Sequence, residues 1–385
     1  MQALFANCCL VELVITGVPS VTFPVHIYEP VVERTCRLLK MNKTTLSSIK
    51  IQRSRATQAF IDRVFRSLNL VVYRRPGVSN FLVTDSWFHD GFLNLASFKF
   101  IDSLVIKSSN VTWDALTPII MNTSCRFTHL DLSYTTRFSS MHLEGEANFS
   151  YFRVLILTGN NLRPENFYGW ENGLTKMTSL VELDMSENPI GDGGLSRLIL
   201  CLQGAQKLCD LKIEHCNFSH EGLVELLQFV LESNHLKSLS IARSDLWEWS
   251  TEVATSLATF LAHSTIKTLN IEGIGLGDNG FAIFREELPL VVNLSFIDVS
   301  NNNGAAETTL FTEEFISKAL GIVDIKASNN LIQEESLQHL KATLAGRYEF
   351  NPRIETQIYD LYKHSDRFKC AGLGHPYRLL ENDIQ

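Results

Sequence analysis

LVELDMSENPIGDGG (180–194), LCDLKIEHCNFSHEG (208–222) and IKTLNIEGIGLGDNG (266–280) are three spellings of one pattern. Each opens on apolar residues spaced L-x-x-L-x-L and reaches a glycine fourteen positions after its start, at Gly194, Gly222 and Gly280. Searching outward for the same spacing, with any aliphatic residue or Phe allowed, finds starts at Leu10, Leu46, Val78, Ile101, Phe127, Phe152, Leu180, Leu208, Leu236, Ile266, Leu294 and Ile322. From Leu180 onward the steps, read as differences of those residue numbers, are 28, 28, 30, 28 and 28; upstream they run from 23 to 36. A fixed period of this length is the mark of a stacked repeat, in which each unit buries its apolar faces only against its neighbours.

The interior of each unit holds the same phase. Eight residues after each start the side chain is small and polar: Ser54, Ser86, Ser109, Thr135, Asn160, Asn188, Cys216, Ser244, Asn302 and Asn330, with Val18 and Ile274 departing. Such a residue, buried where the chain leaves a strand, hydrogen-bonds backbone groups of the adjacent turn that would otherwise be unpaired. Further on, Leu195/Leu198/Leu202, Leu223/Leu226/Val230, Phe281/Phe284/Leu288 and Leu337/Leu340/Leu344 fall at steps of three and four, the spacing of one helical face. Each unit therefore reads as a short strand, a turn and a helix that packs back on it.

These phrases resemble repeats of the ribonuclease-inhibitor-like class of leucine-rich-repeat proteins, which includes ribonuclease inhibitor, RanGAP, tropomodulin and the CARMIL-type actin-capping-protein regulators. The likeness covers roughly residues 10 to 345. It implies an α/β fold: a right-handed leucine-rich-repeat solenoid, or horseshoe, with a parallel sheet on the concave face and helices on the convex face. The long array with looser N-terminal repeats looks most like a CARMIL-type regulator. Such proteins are expected to carry a membrane-binding module before the repeats and a capping-protein-binding segment after them, and neither is evident. Leu373 and His375 make an L-x-H match without the rest of that motif. A RanGAP-like function implies a long acidic tail, and the terminal ENDIQ is short.

The expected organisation is a solenoid of about twelve repeats over 1–345, then a capping helix and tail over 346–385, with Ile354, Ile358, Leu361 and Tyr362 at helical spacing. No polar cap precedes Leu10, the pattern of a truncated or minimal N-terminus. With 45% hydrophobic and 20% charged residues in 385, the composition is that of a folded chain. A net charge of −8, from 34 basic and 42 acidic residues, argues against nucleic acid or an anionic membrane as partner. No apolar run is long enough to span a bilayer. The opening MQALFANCCLVELVI has no basic segment and no small-residue cleavage site, so a cytoplasmic location is expected. On that expectation the sequons at Asn42, Asn110, Asn122, Asn148, Asn217 and Asn293 are chance matches, and the eight cysteines are free thiols.

Three motifs resemble sites. Gly275, Gly277 and Gly280 spell G-x-G-x-x-G, yet Gly280 shares its phase with Gly194 and Gly222, so the repeat explains it. Asp278 aligns with Asp192 and His220, where an Asp hydrogen-bonds local N–H groups at the helix start. Cys201, Cys209, His215 and Cys216 fit no zinc template and fall on structural phases. No cofactor, metal or catalytic residue is expected, and the chain reads as a non-enzymatic platform for protein partners; the resemblance implies actin-regulatory partners first, with a RanGAP-like regulator of a small GTPase or a ribonuclease-inhibitor-like or immune-receptor-like sensor platform as the alternatives.

Contact residues should lie where strand side chains alternate away from the helices. Along the array these are Ser48/Lys50, Ser103/Val105, His129/Asp131, Val154/Ile156, Glu182/Asp184, Asp210/Lys212, Ser238/Ser240, Thr268/Asn270, Phe296/Asp298 and Asp324/Lys326. An acidic bias around Asp131, Glu182, Asp184 and Asp210 suits a basic partner surface. The candidate contact set is His129, Asp131, Glu182, Asp184, Asp210, Lys212, Asp298 and Asp324. Trp247 and Trp249, on a strand-to-helix turn of the longer repeat from Leu236, are candidate rim contacts.

Overall fold

The computed structural model describes residues 10–16, 25–42, 45–54, 63, 79–86, 101–111, 128–135, 148–167, 177–233, 235–242, 251–288, 293–318 and 324–330. The chain divides into two compact units: residues 1–188 with 201–207, and residues 189–200 with 208–385. The proposed C-terminal capping helix, the trio at Leu337/Leu340/Leu344, and Trp247 and Trp249 all lie outside the described residues.

Unit one holds seven parallel strands that neighbour one another in chain order: β1 (Glu12–Thr16), β2 (Ser48–Gln52), β3 (Asn80–Thr84), β4 (Ser103–Lys107), β5 (His129–Asp131), β6 (Val154–Ile156) and β7 (Glu182–Asp184). Unit two continues the order with β8 (Asp210–Lys212), β9 (Ser238–Ser240), β10 (Thr268–Asn270), β11 (Phe296–Asp298) and β12 (Asp324–Lys326), again parallel. Parallel neighbours need a crossover, and the apolar trios supply it as helix. The helices are α1 (Val25–Met41) in unit one, α2 (Gly191–Leu202), α3 (His220–Ser233), α4 (Thr251–His263), α5 (Gly277–Glu286) and α6 (Ala306–Lys318). In the irregular half, the described crossover pieces flanking β6 are single 3-10 turns at Asn148–Tyr151 and Pro164–Phe167. Twelve parallel strands alternating with helices and turns make this the leucine-rich-repeat solenoid, an α/β fold.

Two columns of apolar residues, three and five positions after each start, form the core. Leu130, Leu155 and Leu183 in unit one, and Leu211, Leu239, Leu269 and Ile297 in unit two, are at most 1% exposed. Behind them the predicted trios Leu195/Leu198/Leu202, Leu223/Leu226/Val230 and Phe281/Phe284/Leu288 are buried. Phe281 and Phe284 of α5 meet Phe311 of α6 with centroids 5.4 and 4.8 Å apart.

The polar column does what its chemistry requires. Asn188 Nδ2 donates to the carbonyls of Leu157 (3.0 Å) and Met185 (2.7 Å), while its Oδ1 accepts from the N–H groups of Asn160 (2.9 Å) and Leu162 (3.0 Å). Asn302 repeats this on Ile271 O, Val299 O and Leu276 N, and Asn330 on Val299 O, Ala327 O and Asn302 N. Serine does half the job in the early repeats: Ser86 Oγ accepts from Ser54 N, and Ser109 Oγ from Ser86 N, each at 3.1 Å. One side chain thus satisfies buried groups in two consecutive turns, so the column ties repeat to repeat.

One expectation needs correcting. Asp278 and Asp192 do not serve their own helices. Asp278 Oδ1 accepts from Ala305 N (2.7 Å) and Glu307 N (3.0 Å) at the start of α6, one repeat further on, and Asp192 Oδ1 accepts from Ser219 N (2.7 Å) just before α3. Stacking brings each carboxylate over the next helix's unpaired N–H groups, where the helix dipole also favours negative charge. Gly222 is small for that reason: a Cβ there would stand 2.3 Å from Asp192 Oδ1.

Candidate protein interface

Strand alternation puts the residues two and four positions after each start on the face opposite the core. In unit one, register aligns them into two rows. The first is Glu12, Ser48, Asn80, Ser103, His129, Val154 and Glu182; the second is Val14, Lys50, Leu82, Val105, Asp131, Ile156 and Asp184. In unit two the rows are Asp210, Ser238, Thr268, Phe296 and Asp324, and Lys212, Ser240, Asn270, Asp298 and Lys326. The candidate residues His129, Asp131, Glu182 and Asp184 therefore share the face of unit one, and Asp210, Lys212, Asp298 and Asp324 stand in the rows of unit two.

Their roles divide once the contacts are drawn. Asp131 is 3% exposed: one oxygen accepts from Ser133 N (3.1 Å) and Ser133 Oγ (2.6 Å), and the other pairs with Lys107 Nζ at 2.6 Å. Asp298, 5% exposed, accepts from Ser300 N at 3.0 Å and faces Lys326 Nζ at 3.5 Å. Asp184 and Asn270 make the same bond to the N–H two residues on, at 2.9 and 3.1 Å. These short side chains turn the chain out of the strand, as Asx residues do. Asp131 and Asp298 are thus withdrawn from the surface that the acidic pattern assigned to them. His129, Glu182, Asp184, Asp210 and Lys212 stay half-buried on the face, with Asp210 and Lys212 side chains 31% and 35% exposed and 4.0 Å apart.

Sequence reading missed a rim beside this face. Among the described residues, the one seven after a start adopts left-handed backbone: Arg53, Asp85, Ser108, Tyr134, Gly159 and Glu187 in unit one, His215, Gly273, Asn301 and Asn329 in unit two. Its N–H donates to the carbonyl of the next repeat's turn, as in Tyr134 to Thr158 (2.8 Å) and Asn301 to Ser328 (2.8 Å). Gly and Asn at four of these positions are the signal that was available; arginine, tyrosine and glutamate at others hid it.

Tyr134 is the conspicuous member, a bulky residue at φ +53° and 42% exposed. Its ring lies across Gly159, where a Cβ would come within 2.4 Å of it, and its hydroxyl donates to Glu187 Oε1 at 2.6 Å. That hydrogen bond first, then burial and the charges of Glu187 and Asp184, push the phenol up to about 12.

The glycine motif has no vacant phosphate cradle. The Leu276 and Gly277 N–H groups are both taken by Asn302, through its Oδ1 and its carbonyl, and Asp278 caps the next helix. Cys201 and Cys216 are buried, the latter's thiol donating to Glu214 O at 3.3 Å in the polar column. Among the described residues no helix is long and apolar enough to cross a membrane.

No protein-family model matches the chain. Over 123 residues it is 32% identical to the Tonsoku-like protein of Bos taurus, covering 30% of this chain and 9% of that one. Over 191 residues it is 25% identical to the centrosomal protein of 78 kDa of Mus musculus, covering 48% and 23%. The chain's matches thus span about a tenth and a quarter of these curated relatives. An internalin from Listeria monocytogenes overlays with a TM-score of 0.44 at 12% identity, covering 88% of this chain and 86% of its own. On the repeats, strands and columns described above, the chain has a leucine-rich-repeat fold.

Proposed function

We propose that this chain is a non-enzymatic protein-binding scaffold whose open sheet faces, with the rim beside them, hold protein partners. The observation that carries this reading is a contrast between the two sides of each strand. The buried side repeats nearly the same aliphatic residue from strand to strand, while the first row of the open side runs through Glu, Ser, Asn, His, Val, Asp, Thr and Phe. A surface free of packing duty is where recognition chemistry accumulates on a rigid scaffold. Within this reading we assign the chain to cytoplasmic, cytoskeletal assemblies. The CARMIL-type resemblance supports actin regulation as the finer form, and the likeness to a centrosomal protein favours a cytoskeletal setting more broadly.

Proximity labelling in cells tests the proposal. The full chain is compared with a variant carrying Val105→Lys and Thr268→Lys, one new charge on each open face. Cytoskeletal proteins labelled by the wild type and lost from the variant are the expected result. Identical labelling by both chains overturns the face as the binding surface. Accelerated GTP hydrolysis by a Ran-type GTPase with purified chain moves the function to GTPase regulation.

A further inference from the structure

The open face of unit one is not uniformly polar. Leu82 and Val105 stand in register on β3 and β4, and Val154 and Ile156 together on β6, all partly exposed. Asp131, which interrupts the second row between Val105 and Ile156, is buried in its pair with Lys107 and presents no free carboxylate. Strand propensity does not account for this band. At the same phase unit two builds its strands with Lys212, Ser240, Asn270, Asp298 and Lys326, so the position has no need of an apolar residue. Four partly exposed aliphatic side chains on three of the four strands β3 to β6 have a cost in water that covering by a partner would remove.

The two ends of the band differ in charge. On the β2 side, Lys50 is held by Glu12 at 2.8 Å, a neutral pair. On the β7 side, Val154 abuts Glu182 and Ile156 abuts Asp184 in register, and Glu187 stands on the rim of the same repeat with the exposed ring of Tyr134. Hydrogen bonds from Ser186 N to Asp184 and from Tyr134 to Glu187 fix these carboxylates without cancelling their charge.

The geometry points to a specific class of occupant: an extended or helical segment of a partner protein that seats aliphatic side chains on Leu82, Val105, Val154 and Ile156 and places an arginine or lysine against Asp184, Glu187 and the face of Tyr134. Charge complementarity selects the basic end, because a carboxylate there would meet like charge. The Tyr134 ring, backed by Glu187, adds cation–π attraction that favours arginine. Adjacent strands about 4.8 Å apart set the spacing, so the apolar and basic side chains of the segment are separated by roughly 5–10 Å. This inference rests on the scaffold reading and commits it to one face and one partner chemistry.

A phage-displayed library of random twelve-residue peptides, panned on the full chain, tests it. Enriched peptides should combine aliphatic residues with arginine or lysine. Their affinity should fall at least about tenfold on Ile156→Lys and on Glu187→Lys, and stay unchanged on Thr268→Lys in unit two. Replacing the peptide's basic residue by glutamate should restore binding to Glu187→Lys alone. Val105→Ser is a milder second variant, and thermal melts confirm that each variant folds. Peptides without a basic residue, peptides indifferent to Ile156→Lys and Glu187→Lys, or no enrichment at all would overturn the inference. Peptides that lose affinity only on Thr268→Lys also overturn it while leaving the scaffold reading standing, which the proximity labelling judges separately.

Discussion

Replacing Asn302 by alanine should destabilise unit two far more than the loss of one side chain suggests. Asn302 is fully buried, and its amide donates to the carbonyls of Ile271 and Val299, both at 2.9 Å, and accepts from Leu276 N at 3.2 Å. Alanine leaves all three backbone groups without that partner in a site closed to water. Val299 O keeps its bond from Asn330 Nδ2, and the other two groups, left unsatisfied, cost roughly 1–3 kcal/mol each, so the expected loss is about 2–6 kcal/mol. Asn302→Asp is the sharper test. It keeps the acceptor and the volume but aims a carboxylate oxygen at two carbonyls, so it should be at least as damaging at pH 7 and recover partly on acidification. Urea unfolding followed by circular dichroism gives the magnitude, with Lys267→Ala, at an exposed position, as control. A loss below about 1 kcal/mol for Asn302→Ala, or wild-type stability for Asn302→Asp at pH 7, would refute the reasoning.

Further perturbations follow from the same contacts. Asp278→Ala should cost about 1–2 kcal/mol, as cap removals do, and should speed hydrogen exchange at Ala305 and Glu307 rather than within α5; faster exchange confined to α5 would contradict the cross-repeat cap. Gly159→Ala meets both left-handed backbone and the Tyr134 ring, so it should cost about 1–2 kcal/mol for the backbone alone and less in a Tyr134→Ala background than in the wild type, a coupling that a double-mutant cycle measures. Glu314 is held below the ordinary carboxylate range, first by its hydrogen bond from Lys318 at 2.7 Å and then by Arg285 at 3.6 Å. A lowered carboxyl contributes stability that is present above its ordinary value of 4.5 and lost as pH falls below it. The melting-temperature advantage of wild type over Glu314→Gln should therefore shrink as pH falls from about 5 to roughly pH 3; an advantage that grows on acidification would rule this out.

Much of the fold was legible because a stacked repeat writes the same constraint many times. The starts at Phe127, Phe152, Leu180, Leu208, Leu236, Ile266, Leu294 and Ile322 each placed a strand two to four residues on, and there the strands lie. The asparagine column was readable for the same reason, since Asn160, Asn188, Asn302 and Asn330 answer one demand of the backbone. What escaped were features set by a neighbour in the stack. Asp278 reads locally as a cap for its own helix, and only stacking shows that it serves the next. Asp131 and Asp298 read as exposed charge, and only their bonds to Ser133 and Ser300 show them bent inward. The apolar band on unit one was partly legible: Val105, Val154 and Ile156 read onto the open face, and only Leu82, in the repeat from Val78, did not. The left-handed rim was hidden by its mixture of side chains.

Distances between spin labels along the first row of unit one test the central claim most directly, that consecutive repeats lay down parallel strands side by side in chain order. Labels carried by genetically encoded keto side chains leave the native cysteines untouched. With one label at Glu12 and the second at Ser103, His129, Val154 or Glu182 in turn, the distance should rise at every step, by roughly 5 Å for each strand passed. A distance to Glu182 shorter than that to His129, or any inversion of the series, would contradict the account.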